Sequence, residues 1–222
     1  GELGGILQNV TLQTTGPDFV LGASLMSDNQ MWWKGWLDDV RVYDRALSAE
    51  EISIVMNGGG GEEGGGSAET EVPGLVTHFS FDGSLTDAVD GDAGVATMTP
   101  QYDAGRHGTA LWFDGVDDKL TISAATLPQG NAARTLSLWA KDAEPAGFDW
   151  KFAATWGQLG LTNFGLARGD TNGEPVGRWV GFYGAPPDVG VSATVTAEWA
   201  HLALSYDGDV MRGYANGILG EE

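Results

Sequence analysis

The sequence contains no cysteine, and basic residues are scarce: 11 Lys and Arg stand against 31 Asp and Glu. The absence of cysteine excludes a disulfide framework and a thiolate metal site. The formal net charge of −20 repels phosphate backbones and anionic membranes, so nucleic acid is a poor partner. No apolar run reaches the roughly 18 residues that a membrane span needs, and no membrane insertion is expected. The excess of acids suits a protein that works with calcium or in salty water.

Glycine is abundant, with 35 residues, and hydrophobic residues make up 42% of the chain, which is enough for a substantial core. Residues 135–140 (TLSLWA) and 201–206 (HLALSY) alternate, with leucines on one face and polar or aromatic side chains on the other. Turn signals such as Asp207-Gly208 and Asn216-Gly217 separate short segments of this kind. Period-two alternation between frequent turns predicts an all-β fold, a two-sheet antiparallel sandwich.

A Gly/Glu-rich stretch, residues 57–74, divides the chain into residues 1–56 and residues 75–222. It begins NGGGGEEGGG and lacks the apolar residues that would offset its ordering entropy, so we expect a flexible linker. One short helix is predicted just before it. Ser48 and Glu51 form a capping box, and the helix is expected to run to about residue 56.

Residues 35–52 (GWLDDVRVYDRALSAEEI) closely resemble the closing strand and terminal helix of LamG-like jelly rolls, members of the concanavalin A-like lectin/glucanase superfamily. Residues 75–85 (LVTHFSFDGSL) resemble the opening strand of such a domain, and residues 108–122 the hairpin that follows. Residues 135–141 resemble the next core strand, and residues 199–217 the late hairpin with its Y-x-N-G turn. The resemblance implies a two-sheet antiparallel jelly roll with one short helix.

The order of these segments departs from the family, in which the closing strand comes last. Reading residues 75–222 followed by residues 1–56 gives one complete domain in circularly permuted order. The same order arises if the chain is one period of a tandem array, cut out of phase. Residues 1–56 then close either their own sandwich, which we favour, or that of a neighbouring copy by strand addition.

The resemblance also implies a structural Ca²⁺ that ties the turn after the first strand to the closing strand. The matching acids are Asp82 and Asp39, and backbone carbonyls would complete the shell. The alternative is that Asp82 is a turn residue and that Asp39 caps or pairs with Arg41. The acidic runs at residues 87–92 and 114–118 do not have EF-hand spacing, and solvated turns are the preferred interpretation.

Carbohydrate binding is the main functional hypothesis, because nine tryptophans exceed the needs of a core this size and exposed rings stack on sugars. Two candidates lie on the loop before the closing strand, and four lie on strand faces opposite the leucine-rich ones. The alternative is that these rings fill the core, because an error of one residue reverses a face. The candidates are Trp32, Trp33, Trp139, His201, Arg212 and Tyr214.

Catalysis has little support. The glucanases of the superfamily carry an E-x-D-x-(x)-E strand with a nucleophile and an acid/base, and no such run occurs here. We therefore expect a non-catalytic, extracellular or cell-surface module, bacterial by its acidity and lack of cysteine, that binds a polysaccharide or cell-surface glycan. The alternative is a structural repeat of an adhesin or fibre, whose partners are neighbouring copies of itself. A glycan-active hydrolase or lyase ranks below both.

Overall fold

The structure, a computed structural model, describes residues 5–24, 31–59, 72–146, 150–157, 163–169, 178–182 and 189–220. Within these ranges the chain forms sixteen strands and one helix. The elements are β1 (Ile6–Leu7), β2 (Asp18–Leu21), β3 (Lys34–Tyr43), α1 (Ala49–Met56), β4 (Leu75–Phe79), β5 (Val95–Ala96), β6 (Tyr102–Ala104), β7 (Thr109–Asp114), β8 (Leu120–Ser123), β9 (Arg134–Asp142), β10 (Lys151–Trp156), β11 (Phe164–Gly169), β12 (Arg178–Phe182), β13 (Val189–Thr194), β14 (Ala200–Tyr206), β15 (Met211–Ala215) and β16 (Ile218–Leu219).

The strands form two antiparallel sheets. The larger sheet has the order β1-β15-β14-β9-β3-β7-β6, with β16 added beside β15 and β4 added beside β3. The smaller sheet has the order β13-β12-β11-β10-β2-β8-β5. The predicted two-sheet antiparallel sandwich is confirmed.

The core lies between the two sheets, and the predicted strand faces supply it. The alternating leucines of β9 and β14 are fully buried there, and each such side chain contributes about 1.5–3 kcal/mol to the hydrophobic driving force. The smaller sheet contributes aromatic rings: Trp156 contacts Phe19 edge-on at 5.3 Å and Phe164 at 4.8 Å between centroids. Inward leucines and rings therefore account for the period-two pattern.

Strand β3 occupies the centre of the larger sheet. It pairs with β9 along one edge, and β7 and β4 share its other edge. The ladder to β9 is interrupted after Asp38, because Asp39 and Val40 together lie opposite one residue of β9. Asp39 has φ +53°, which aspartate tolerates better than most residues. This bulge keeps both Leu37 and Val40 in the core, and the two carboxylates between them lie outside it.

Helix α1 begins at the predicted capping box. The Glu51 amide donates to Ser48 Oγ at 3.3 Å, and Glu51 Oε2 accepts from the Ser48 amide at 2.8 Å. The helix buries Ile52 and Val55 against the outer face of the larger sheet, in a second apolar cluster that includes Tyr43. One short, well-capped helix thus covers part of the sheet face that points away from the core.

Candidate functional site

Three of the six predicted contact residues lie on the outer face of the larger sheet, as their strand positions indicate, but they are buried. Trp139 is 5% exposed, His201 1% and Tyr214 4%. The guanidinium of Arg106 stands 4.9 Å from the Trp139 ring centroid, and the His107 ring lies 6.0 Å from it. Tyr214 is covered by α1. The expected solvent exposure of these three side chains is wrong, because a helix and the β6–β7 turn lie over that part of the face.

The other three predicted contact residues have different environments. Trp33 lies on the loop before β3, as predicted, but it is fully buried in the core with its ring centroid 5.5 Å from that of Trp179, so its expected exposure is also wrong. Trp32 is partly exposed. Arg212 is partly exposed and its Nη1 pairs with Asp207 Oδ2 at 2.8 Å. Trp32 and Arg212 therefore retain the access to solvent that ligand contact requires.

The buried layer beneath α1 also contains paired charges. Asp39 Oδ1 lies 2.6 Å from His78 Nε2 and 3.0 Å from Arg41 Nη2. Burial by itself would raise the pKa of Asp39, but the His78 hydrogen bond and the Arg41 charge lower it below its ordinary value. Arg41 Nη1 in turn donates to the Gly59 carbonyl at 2.6 Å. The alternative interpretation of Asp39, a partner of Arg41, is therefore what the contacts support.

Its neighbour Asp38 is in a different state. Its carboxylate is fully buried, and Oδ2 accepts from the Arg106 and His107 amides at 2.7 and 2.9 Å, whereas Oδ1 has no hydrogen-bond partner. Desolvation, with the nearby charges of Asp39 and Asp82, raises the pKa of Asp38 to about 7. A buried carboxylate oxygen without a partner is costly unless a cation or proton neutralises it.

Asp82 faces the same β6–β7 turn. Its Oδ1 accepts from the Thr109 amide at 2.7 Å. A Cβ on Gly108 would lie 1.9 Å from Asp82 Oδ1, and one on Gly105 would lie 2.6 Å from Asp38 Oδ2. Both glycines are thus required for the turn to rest on the two carboxylates. Carboxylate oxygens fit a hard cation such as Ca²⁺. The closing-strand acid that has an oxygen without a partner is Asp38, and not the predicted Asp39, which is paired with Arg41 and His78.

One acidic cluster of the described residues, formed by Asp114, Asp117 and Asp118, could hold a metal ion. Single ligand atoms of the three lie within 4.8 Å of one another. The same carboxylates also accept from backbone amides of their own loop: Asp118 Oδ2 from Asp114 at 2.9 Å and Asp114 Oδ1 from Val116 at 2.8 Å. Hydrogen bonds of this kind are typical of an acidic turn, which is the interpretation that the sequence analysis prefers for residues 114–118.

A partly exposed tryptophan pair, which the sequence reasoning missed, lies at the other end of the same outer face. Trp36 of β3 stands directly opposite Trp112 of β7, with ring centroids 4.3 Å apart and ring planes inclined by 56°. Both rings are partly exposed. Trp36 Nε1 donates to Asp103 Oδ2 at 3.1 Å, and Lys141 Nζ lies 5.2 Å from the Trp36 centroid. These four residues are called the tryptophan platform below.

A signal for the platform is present in the sequence. Trp36 precedes core residue Leu37, and Trp112 stands between core residues Leu111 and Phe113, so period two directs both indoles away from the core. Their meeting depends on the register between β3 and β7. These strands are more than 60 residues apart in the chain, and neither segment specifies that register.

Residues 3–53 match the Laminin_G_3 family model, described as Concanavalin A-like lectin/glucanases superfamily. The predicted resemblance to this superfamily is confirmed, and the matched segment includes the closing strand and the first five residues of α1, whereas the circularly permuted order of the segments stays a prediction. No curated protein and no solved structure matches the chain. Laminin G-like domains commonly bind carbohydrates or act in adhesion, are typically extracellular, and often bind Ca²⁺. Among the described residues no helix has the length and apolar character to cross a membrane.

Proposed function

We propose that this chain is a non-catalytic, extracellular carbohydrate-binding module and that it binds its glycan on the tryptophan platform. The observation that carries the proposal is the exposure of Trp36 and Trp112 on a sheet whose other outward rings, such as Trp139, are covered. Partly exposed indoles offer apolar faces on which a sugar ring can stack, and polar groups beside them can orient its hydroxyls.

The tryptophan platform is preorganised, because its two rings project from paired strands of the larger sheet. Both rings project from adjacent strands whose inward residues, Leu37 and Leu111, are fully buried. Trp36 is further oriented by its hydrogen bond to Asp103. Groups held on rigid strands lose little entropy when a ligand binds, which favours affinity.

The test is binding of the whole chain to a panel of polysaccharides by affinity gel electrophoresis, followed by calorimetry on the best ligand. We expect Trp112→Ala to weaken binding at least about tenfold, the loss of one good stacking contact. Trp32→Ala is the matched control, since it removes another partly exposed tryptophan. If Trp32→Ala weakens binding and Trp112→Ala does not, the site lies on the loop before β3.

We further propose a structural Ca²⁺ held by Asp38 and Asp82, with Asp39 in the adjoining ion pair. The support is the partnerless oxygen of Asp38 beside a second acid. The ion would fasten β3 to the turn that follows β4, and its charge would relieve the repulsion between the buried Asp38 and the exposed Asp82.

Two amide variants separate a calcium ligand from a member of a structural ion pair. Asn at position 38 still accepts from the Arg106 and His107 amides but carries no charge. Asp38→Asn should therefore abolish any rise in melting temperature on adding Ca²⁺, while leaving the chelated protein as stable as wild type or more so. Asp39→Asn, the control, breaks the pair with Arg41 and His78 and should destabilise the protein with or without Ca²⁺. A wild-type melting temperature that is the same in Ca²⁺ and in chelator would refute the site.

A second candidate function, a fibre or adhesin repeat assembled by strand exchange, is favoured by one observation. The N-terminal segment supplies a central strand to each sheet: β3 between β9 and β7, and β2 between β10 and β8. Whichever copy of residues 75–222 receives these strands would be completed by them. Light scattering at rising concentration separates the two functions, because exchange predicts concentration-dependent polymers that disappear when residues 1–56 are deleted.

A further inference from the structure

We infer that the ligand of the tryptophan platform is a neutral, soluble glycan chain rather than an acidic polysaccharide or a crystalline polysaccharide surface. The inference rests on the proposed function and specifies the class of ligand that the same four residues can accept. Three features carry it: the inclination of the two rings, the two opposite charges beside them, and the charge of the molecule as a whole.

The inclination of the rings excludes a flat ligand. A crystalline polysaccharide presents a plane, and two rings stack on one plane only if they are themselves coplanar. Trp36 and Trp112 are inclined by 56° with centroids only 4.3 Å apart. Two rings so close and so inclined form a small, angled surface, which fits one sugar unit or the bend between two units of a single chain.

The two rings are not equivalent. The Lys141 ammonium stands over Trp36, 5.2 Å from its centroid, and the indole N–H of Trp36 is bonded to Asp103. Among the described residues no cation stands over Trp112. Trp112 therefore offers the less occupied ring for stacking, and Trp36 positions the two charged groups beside it.

The two flanking charges suit sugar hydroxyls. A hydroxyl both donates and accepts hydrogen bonds, so it can donate to the Asp103 carboxylate and accept from the Lys141 ammonium. A uronate or sulfate group only accepts: it can accept from Lys141, but it meets the carboxylate of Asp103 as a like charge, whereas a hydroxyl can bond to both groups. The nearby Lys34 does not offset this repulsion, since its Nζ is paired with Glu144 Oε1 at 2.6 Å.

The charge of the whole molecule acts in the same direction. With a formal charge of −20, the chain repels a polyanion during its approach and in the complex. At physiological salt this repulsion is screened beyond about 8 Å, but a polysaccharide lying on the surface is closer than that. A neutral chain does not meet this penalty.

The experiment compares ligand classes on the wild-type protein by affinity gel electrophoresis. Gels contain laminarin, xyloglucan or galactomannan as neutral soluble chains, polygalacturonate as the uronate arm, or dextran sulfate as the sulfate arm. Microcrystalline cellulose is tested by pull-down. We expect retardation in at least one neutral gel, with an affinity that changes less than about twofold between low and high salt, as a contact without net charge should.

Two variants test the role of the flanking charges. Asp103→Asn should weaken binding to the neutral chain by about threefold to tenfold, because a charge-assisted hydrogen bond becomes a neutral one, and should weaken repulsion of polygalacturonate. Lys141→Met, which keeps an unbranched apolar stem, should weaken binding of the neutral chain to a similar degree. Trp112→Ala should abolish retardation.

The outcomes separate this inference from the function on which it rests. Preferential binding to polygalacturonate or to dextran sulfate, lost at high salt, overturns the inference and identifies the anionic group that is bound. Capture by cellulose alone also overturns it. In either case, if Trp112→Ala abolishes that binding, the proposed function stands. Absence of binding in every arm overturns the proposed function and the inference together.

Discussion

The outer face of the larger sheet is divided into a covered half and an open half, built from the same kind of strand. In the covered half Trp139, His201 and Tyr214 lie under α1 and the β6–β7 turn. In the open half Trp36 and Trp112 keep contact with solvent. All five side chains alternate with core residues in the same way. The comparison shows that alternation determines which face a ring occupies, whereas the segments packed over that face determine whether it can meet a ligand.

The largest effect that separates the two halves is expected for Trp139→Ala. The substitution leaves a cavity beneath Arg106 and His107 and should lower the free energy of unfolding by about 3–5 kcal/mol, as for other buried tryptophans. Urea denaturation measures it. Trp139→Phe, the control, keeps most of the ring volume and removes an indole N–H that has no partner, so its loss should be much smaller. A Trp139→Ala variant of wild-type stability would mean that the covered half is open in solution.

The next largest effect is a pH dependence that originates in the covered half. Burial, more than any other cause, lowers the pKa of His201 to about 3, and its Nε2 lies 2.9 Å from Ser137 Oγ. The charges that act on the ring are those of Asp39, Arg41 and His107. The unfolded chain binds a proton at this site below about pH 6.5 and the folded chain does not, so His201 favours unfolding increasingly as the pH falls.

The measurement is the free energy of unfolding as a function of pH for wild type and His201→Gln. His201 should contribute a slope of about 1.4 kcal/mol per pH unit between roughly pH 6 and pH 3, with stability lost toward acid, and the variant should lack that contribution. Comparing the two curves removes the contributions of all the other titratable groups, which both proteins share. Parallel curves would contradict burial of a neutral imidazole in this layer.

Much of the fold could be predicted from the sequence because the information is local. The inward leucines of β9 and β14, the Ser48 capping box and the closing-strand motif each lie within a few residues of one another. The candidate site was less predictable because it depends on non-local contacts. The cover over Trp139 comes from residues 106 and 107, and the meeting of Trp36 with Trp112 depends on the register between two distant strands.

The calcium hypothesis illustrates the same limit over a shorter distance. The Asp38-Asp39 pair is evident in the sequence, but a bulge between β3 and β9 determines how each carboxylate is satisfied. The bulge joins Asp39 to Arg41 and His78 and leaves one oxygen of Asp38 without a partner. The family resemblance pointed to Asp39, whereas the carboxylate oxygen without a partner belongs to Asp38, because a motif fixes the order of residues but not the local twist of the backbone.

The smallest effect on stability is expected for Trp112→Ala, in the open half. Trp112→Ala removes a partly exposed ring that contacts Trp36 on the outer face, so the free energy of unfolding should fall by about 1–3 kcal/mol, from the aromatic pair and the buried part of the ring. Trp112→Ala should also lose glycan binding, whereas the main effect of Trp139→Ala should be a loss of stability. A Trp112→Ala loss as large as that of Trp139→Ala would show that the tryptophan platform is a structural cluster. A small loss of stability with a large loss of affinity is the combination that a binding surface requires, because its rings are held by the strands beneath them and contribute little to holding those strands together.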